Sequence, residues 1–191
     1  MPDRPGVILA GGRSSRMGQD KALVHLGGRP MIAAVIARLA PQAAPLAISA
    51  NGDPARLAAF GLPVLPDEAP GHPGPLAGVL AAMDWAAGLG AEAVVTVPVD
   101  VPMIPPDLVG RLAAAGPFAL ARTPGGWQGA CALWPVGLRM RLRADLGAGM
   151  RRLTDWALAQ GAVAVDFDDE AAFANVNTPA DLARAEAAIM R

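Results

Sequence analysis

The sequence predicts an α/β domain with a mostly parallel central sheet, helices on both faces and a small antiparallel extension. Three observations carry that prediction. Short runs that are apolar at nearly every position alternate with longer stretches of helical periodicity, the rhythm of strands buried on both faces and joined by crossover helices. Four of those runs lead into a glycine pair, an amide or an acid, as strand ends beside a ligand do. Two later runs flank the turn Pro124-Gly125-Gly126, which adds an antiparallel pair. The architecture this implies is Rossmann-like and occupies residues 1–191 as one domain.

The elements follow in order. Gly6 to Ala10 is a short buried strand, apolar at successive positions. Pro30 to Leu39 reads as a helix, with Met31, Val35 and Leu39 on one stripe and Pro30 suited to its first turn. Pro45 to Ala50 is a second strand, stopped by the turn formers Asn51-Gly52-Asp53-Pro54. Asp53-Pro54 can cap a short helix through Phe60, and Leu62 to Leu65 is a third strand that ends at Pro66-Asp67. Pro75 to Ala87 is a long helix, and Ala93 to Val99 is a valine-rich strand running into Asp100-Val101-Pro102. Pro106 to Ala115 is helical, with Asp107 near its start.

Phe118 to Arg122 and Ala130 to Trp134 are the strands flanking the glycine turn. Val136 to Leu146 and Met150 to Ala159 read as helices, and Ala162 to Phe167 as a strand. Pro179 to Met190 is a terminal helix with Thr178 as its N-cap.

Composition narrows the function. A chain of 191 residues with 53% apolar types can bury a real core. A net charge of −1 leaves no excess of cations for a nucleic-acid footprint. No stretch approaches ~18 uninterrupted apolar residues, so no membrane span is expected. The start, Met1-Pro2-Asp3-Arg4-Pro5, lacks the apolar segment of a signal peptide, and cytoplasmic location is the expectation. Cys131 is the only cysteine, which excludes an internal disulfide and a thiolate metal cluster. His25 and His72 are too few and too far apart to suggest zinc.

The chemistry concentrates after the first strand, in Leu9-Ala10-Gly11-Gly12-Arg13-Ser14-Ser15-Arg16-Met17-Gly18-Gln19-Asp20-Lys21. Adjacent glycines leave room for a ligand against backbone amides. Arg13, Arg16 and Lys21 add cations suited to a polyphosphate. The loop is neither of the two commoner nucleotide loops. Lys21 is followed by Ala22 rather than by the hydroxyl a Walker loop needs, and the glycine spacing is not that of a dinucleotide fingerprint.

Asn51, Asp67 and Asp100 follow the other predicted parallel strands, so all should reach the same sheet edge as this loop. Asp100 at the tip of a valine strand either accepts backbone hydrogen bonds in its turn or ligates magnesium, which takes one or two carboxylates plus phosphate oxygens and water. Asn51 either makes a turn or reads a base or ribose edge. Asp67 either caps or accepts from a base amino group or ribose hydroxyl. Gly71-His72-Pro73-Gly74-Pro75-Leu76-Ala77-Gly78 is either a rigid connector or a backbone contact for a planar base. Arg151-Arg152 either meets a phosphate or a pterin carbonyl, or begins a solvated helix; of Asn175 and Asn177, one is free to cap.

In combination these residues resemble the molybdenum cofactor guanylyltransferases, the MobA family of the nucleotidyltransferase superfamily. Leu9 through Lys21 match L-A-G-G-x-S-x-R-M-G-x-x-K, Pro75 through Gly78 match P-L-A-G, Asp100 with Pro102 matches D-x-P, and Asn175 through Pro179 match N-x-N-T-P. The resemblance covers nearly the whole chain. It implies transfer of GMP from GTP to the terminal phosphate of molybdopterin, with release of pyrophosphate.

It further implies that Leu9, Ala10, Gly11 and Gly12 line the guanine and ribose, with Pro75, Leu76, Ala77 and Gly78 also on the nucleotide. Arg16 and Lys21 would hold the triphosphate, Asn51 and Asp67 the nucleoside, and Asp100 the magnesium ion (Mg2+) and phosphates. Asn175, Asn177, Arg151 and Arg152 would meet the acceptor, and Arg16, Lys21 and Asp100 would be the catalytic set. GTP and molybdopterin are then the substrates, with transient contacts to molybdenum-insertion proteins and acceptor enzymes, and no nucleic acid or membrane.

The chain departs from the pattern at Trp127-Gln128-Gly129-Ala130-Cys131-Ala132-Leu133, where a basic residue and a proline are expected. Gln128 and Gly129 stand there instead, and Cys131 is a small core residue. Two other functions remain. A cytidylyltransferase acting on molybdopterin or another phosphorylated small molecule would carry L-A-A-G at the loop, whereas Gly12 follows Gly11 directly. A non-catalytic nucleotide sensor would lack Lys21 or Asp100, and both are present.

Overall fold

The computed structural model describes residues 4–11, 20–66 and 74–189. Its first strand, β1 (Gly6–Leu9), is flanked on both sides by parallel partners. They are β4 (Leu46–Ser49), where Val7 stands opposite Ala47, and β6 (Ala93–Pro98), where Val7 stands opposite Thr96. Gly6 is required at the strand's start: a Cβ there would lie 2.8 Å from the Leu46 side chain and 2.9 Å from that of Ala43.

β5 (Val64–Leu65) pairs parallel with β4 at one edge. Beyond β6 the sheet continues through β8 (Gly126–Pro135), β7 (Ala119–Thr123) and β9 (Val163–Asp166), in the order β5-β4-β1-β6-β8-β7-β9. β8 runs antiparallel to both neighbours and is the reversed strand among those described. A second, two-stranded sheet, β2 (His25–Leu26) with β3 (Arg29–Pro30), supplies the rest of the antiparallel structure.

Alternate residues of the strands feed two cores, which is why the strands are apolar throughout. Ile8, Ile48, Val95 and Val97 face α1 (Met31–Leu39) and α3 (Leu108–Ala115). Met31, Ile32, Val35 and Leu39 are fully buried, each contributing roughly 1.5–3 kcal/mol in transfer from water. Val7, Ala47, Val94 and Trp134 face α2 (Pro75–Gly88), α4 (Arg139–Gly147) and α5 (Leu153–Ala159). Phe118, Trp134 and Trp156 cluster there with ring centroids 5.3–6.4 Å apart. The Trp134 indole donates to Thr96 Oγ1 at 2.8 Å, and that hydroxyl donates to the Ala130 carbonyl at 2.8 Å, so the core's polar atoms are paired. The last helix, α6 (Pro179–Ile189), packs Leu182 and Ala185 near Val24, Met31 and Val176.

Several predicted boundaries move for physical reasons. β8 begins at Gly126, four residues before the expected Ala130, because Thr123 pairs directly with Gly126 across a two-residue turn. Its register to β7 then slips: Leu120 faces Ala132 but Ala121 faces Gln128, a bulge that periodicity cannot show. The helix expected over Val136 to Leu146 opens with a 3₁₀ turn, Val136–Leu138, before α4. α5 starts at Leu153 rather than Met150. The β2–β3 hairpin was not anticipated, although Gly27 and Gly28, at φ 58° and 79°, are the residues a tight two-residue hairpin turn demands.

Candidate active site

β1, β4, β5 and β6 are parallel, so the segments after them emerge on one side of the sheet. β1 ends at Leu9, and Ala10 and Gly11 continue the chain there. The Ala10 amide donates to the Ser49 carbonyl at 2.8 Å, and the Val99 amide to the Leu9 carbonyl at 3.0 Å. These bonds zip the ends of the three central strands together, and Asn51 and Asp100 leave from them. Gly12, Arg16 and Asp67 lie outside the described residues.

The centre of the site is the Lys21 ammonium group. Lys21 Nζ donates to Asp100 Oδ2 at 2.7 Å and also to Asn177 Oδ1. Three segments far apart in sequence thus converge on one ammonium group. The Lys21 and Asp100 side chains are 21% and 23% exposed, open enough for a ligand to reach both.

Each partner is set by local structure. Asp100 lies two residues past the end of β6, and its carbonyl accepts from the Val176 amide at 2.8 Å, which brings the 175–177 segment alongside. Asn177 stands at the start of α6, where Thr178 and Asp181 form a reciprocal cap. The Asp181 amide donates to Thr178 Oγ1 at 3.2 Å, while Asp181 Oδ2 accepts from the amides of Asn177 and Thr178 at 3.0 and 2.8 Å. Those bonds, the Asn177 amide foremost, hold the Asp181 carboxyl below the usual carboxylate range. Asn175 is exposed.

Lys21 opens a short 3₁₀ turn, Lys21–Leu23, capped by Asp20, whose Oδ1 accepts from the Ala22 amide at 3.1 Å. The other oxygen, Asp20 Oδ2, takes an ion pair from Arg56, whose second nitrogen donates to the Asn51 carbonyl at 3.1 Å. Neither Asp20 nor Arg56 is a site candidate from sequence. Asp20 adjoins Lys21 in the loop motif, but Arg56 sits in an unremarkable 3₁₀ segment, Pro54–Phe60, capped by Asp53.

The other candidates are placed as follows. Gly74, at φ 79°, ends the connector, and Pro75 opens α2 at its exposed N-terminus. Leu76 and Ala77 are buried, Leu76 among the core residues under the sheet, while Gly74 and Pro75 are exposed. Arg151 Nη1 donates to the carbonyls of Leu146 and Met150 at 2.9 and 2.6 Å, closing the end of α4. Arg152 is 84% exposed and pairs with Asp155 at 3.4 Å. Gln128 donates to Thr123 Oγ1 at 3.2 Å. Gly129 sits where a Cβ would lie 2.5 Å from Thr154 Oγ1, so its lack of a side chain admits the start of α5. Cys131 is 1% exposed, and burial, with the Asp100 charge second, pushes its thiol well above the usual range. It is a core residue and no nucleophile.

The family model for the MobA-like NTP transferase domain matches residues 6–163. The chain belongs to this family. A molybdenum cofactor guanylyltransferase of Cereibacter sphaeroides is 53% identical over 190 residues, covering 97% of each chain. One from Rhodobacter capsulatus is 55% identical over 184 residues, covering 95% of this chain and 94% of that one. Among solved structures, the molybdopterin-guanine dinucleotide biosynthesis protein A of Archaeoglobus fulgidus superposes with a TM-score of 0.75 at 22% identity, over 97% of this chain and 98% of that one. That likeness concerns the fold, as does a TM-score of 0.71 at 17% identity to a 2-C-methyl-D-erythritol 4-phosphate cytidylyltransferase of Thermus thermophilus, over 97% and 98% of the two chains. No helix among the described residues is long and apolar enough to cross a membrane.

Proposed function

We propose that this protein transfers GMP from GTP to the terminal phosphate of molybdopterin, forming molybdopterin guanine dinucleotide and releasing pyrophosphate. The observation that carries the proposal is the Lys21–Asp100–Asn177 cluster at the ends of the parallel strands, in a chain 53% identical to a protein named for that activity. An oxygen of the acceptor phosphate attacks the α-phosphorus of GTP, and the bond from that phosphorus to the bridging oxygen breaks. The acceptor is already an anion, so no general base is needed. Alignment and charge neutralisation remain as the protein's tasks.

Lys21 neutralises phosphate charge, and Arg16 adds a second cation on the same loop. Leu9, Ala10, Gly11 and Gly12, the first turn of α2 from Pro75 to Gly78, Asn51 and Asp67 serve the nucleoside. Asn175, Asn177, Arg151 and Arg152 serve the acceptor, so residues 1–191 act as one domain with a nucleotide-binding N-terminal part and an acceptor-binding C-terminal part.

A divalent ion fits this donor set in one way. Among the described residues no group of three or more His, Cys, Asp or Glu side chains gathers to cage a bare ion. Asp100 offers a single, partly exposed carboxylate, which suits magnesium, an ion that keeps its waters and shares itself with substrate phosphates. Asp100 would hold that ion, which when bound supplies positive charge to the triphosphate.

The test is pyrophosphate release from GTP, CTP and ATP, each with magnesium and purified molybdopterin. Release with GTP alone is expected. Preference for CTP would replace the guanylyl reading by a cytidylyl one.

A further inference from the structure

The Lys21–Asp100–Asn177 cluster fixes the far end of the Lys21 side chain, but something must also fix its root. Lys21 launches from a turn of three residues, Lys21–Leu23, too short to hold an orientation by its own backbone bonds. The root is fixed by Asp20. One carboxylate oxygen caps the turn through the Ala22 amide at 3.1 Å, and the other is bound by Arg56.

Arg56 is the less expected partner. It belongs to the segment after β4, 36 positions away from Asp20, and its second nitrogen donates to the Asn51 carbonyl at 3.1 Å. A single planar guanidinium therefore joins the turn that carries Lys21 to the strand end that carries Asn51. The side chains of Arg56 and Asp20 are only 25% and 27% exposed, which separates this pair from the freely solvated ion pairs of the surface. The chemistry favours arginine: two nitrogens in a rigid fork serve two acceptors at once, whereas a lysine would serve one.

We propose that the Asp20–Arg56 pair is a positioning device for the nucleotide site, setting Lys21 and Asn51 in fixed relation to each other before a triphosphate arrives. Arg56 acts through Asp20 and Asn51 and does not touch the reacting atoms. The proposal rests on Lys21 being the triphosphate cation. Its predicted signature is coupling: removing Arg56 matters because Lys21 is then misdirected.

The experiment is a double-mutant cycle on the full chain, reading kcat and KM for GTP in the pyrophosphate-release assay, with thermal unfolding as a check that each variant is folded. Arg56→Gln lowers kcat/KM about tenfold, the scale of one hydrogen bond to a charged group. Arg56→Lys, which keeps the Asp20 contact and loses the Asn51 one, recovers part of that loss. Asp20→Asn keeps the cap on Ala22, loses the ion pair, and gives the same defect as Arg56→Gln; it replaces that variant if the glutamine chain fails to fold. In a Lys21→Ala background, Arg56→Gln then lowers kcat/KM by less than about twofold, since residues coupled through one network of bonds are non-additive.

An equal drop in both backgrounds would overturn the proposal, as would a folded Arg56→Gln chain with unchanged kcat/KM. If Lys21→Ala itself leaves kcat/KM unchanged, the assignment of Lys21 to the triphosphate fails and the proposal falls with it. That outcome is read from the single variant alone, so the two failures are told apart.

Discussion

Replacing Asp100 by asparagine separates what this carboxylate does for the fold from what it does for turnover. The substitution keeps the shape and leaves an oxygen to accept from Lys21, but removes the charge. At the observed 2.7 Å, two unit charges attract by about 6 kcal/mol at an effective dielectric of 20 and about 1.5 kcal/mol in bulk water. Both side chains are roughly a fifth exposed, and taking them partly out of water offsets most of that attraction. The net contribution to stability is then about 1 kcal/mol or less, a shift of ~2–4 °C in Tm for a chain of this size.

Turnover responds on another scale. Positive charge fixed against a developing phosphate charge contributes about 3–4 kcal/mol, and Asp100 is the anion that would hold it in place, through Lys21 and the divalent ion, so turnover in Asp100→Asn should fall roughly 10²–10³-fold. The assay is pyrophosphate release from GTP with molybdopterin and magnesium, run beside a thermal melt. A folded Asp100→Asn chain whose turnover stays within about threefold of the native rate would refute the role given to Asp100.

Three further outcomes test other parts of the structure. Gly6→Ala forces a methyl group to within 2.8 Å of Leu46 and 2.9 Å of Ala43, and urea unfolding should show a loss of about 1–3 kcal/mol from overpacking. Cys131, buried with its thiol pushed up, should resist iodoacetamide in the native protein and react only once denaturant has opened the core; rapid native labelling would contradict its placement. The Asp145 carboxyl is held below the usual carboxylate range, by the Trp156 indole first and Arg141 second. A lowered folded-state pKa gives stability that is complete above about pH 4 and is lost as pH falls through the folded value. Asp145→Asn should therefore flatten the acid limb of the stability-versus-pH curve, and an unchanged limb below about pH 4 would contradict the assignment.

The parallel half of the fold was legible because its signals are local. Val7-Ile8-Leu9 and Ala93 to Val99 are apolar on both faces, which only strands covered on two sides require. The acid at Asp100 and the amide at Asn51 mark where those strands stop. The second half was less legible because pairing decides it. β8 extends to Gly126 through its register with β7, and its bulge between Gln128 and Ala132 depends on a partner strand that no single run of sequence reveals. Arg151 shows the same limit: the bonds from its Nη1 to the carbonyls of Leu146 and Met150 depend on how α4 ends, which the residues around Arg151 do not announce.

The site divides along the same line. Lys21 and Asp100 could be picked out one at a time, because each sits in a motif whose residue types have a stated chemical use. What no motif supplies is the relation between them. That relation is built from bonds crossing the chain: Asn177 to Lys21, Val176 to the Asp100 carbonyl, Arg56 to Asp20 and Asn51. The capping pair Thr178–Asp181 has its consequence here. By tying down the Asn177 backbone N–H it fixes the residue whose side-chain Oδ1 accepts from Lys21, so a helix-start signal in the last fifteen residues helps organise a cation in the first twenty-five. A site assembled this way is preorganised by backbone geometry at each strand end and by few side-chain bonds between them. Those bonds, rather than the residues that meet substrate, are where sequence reading stops.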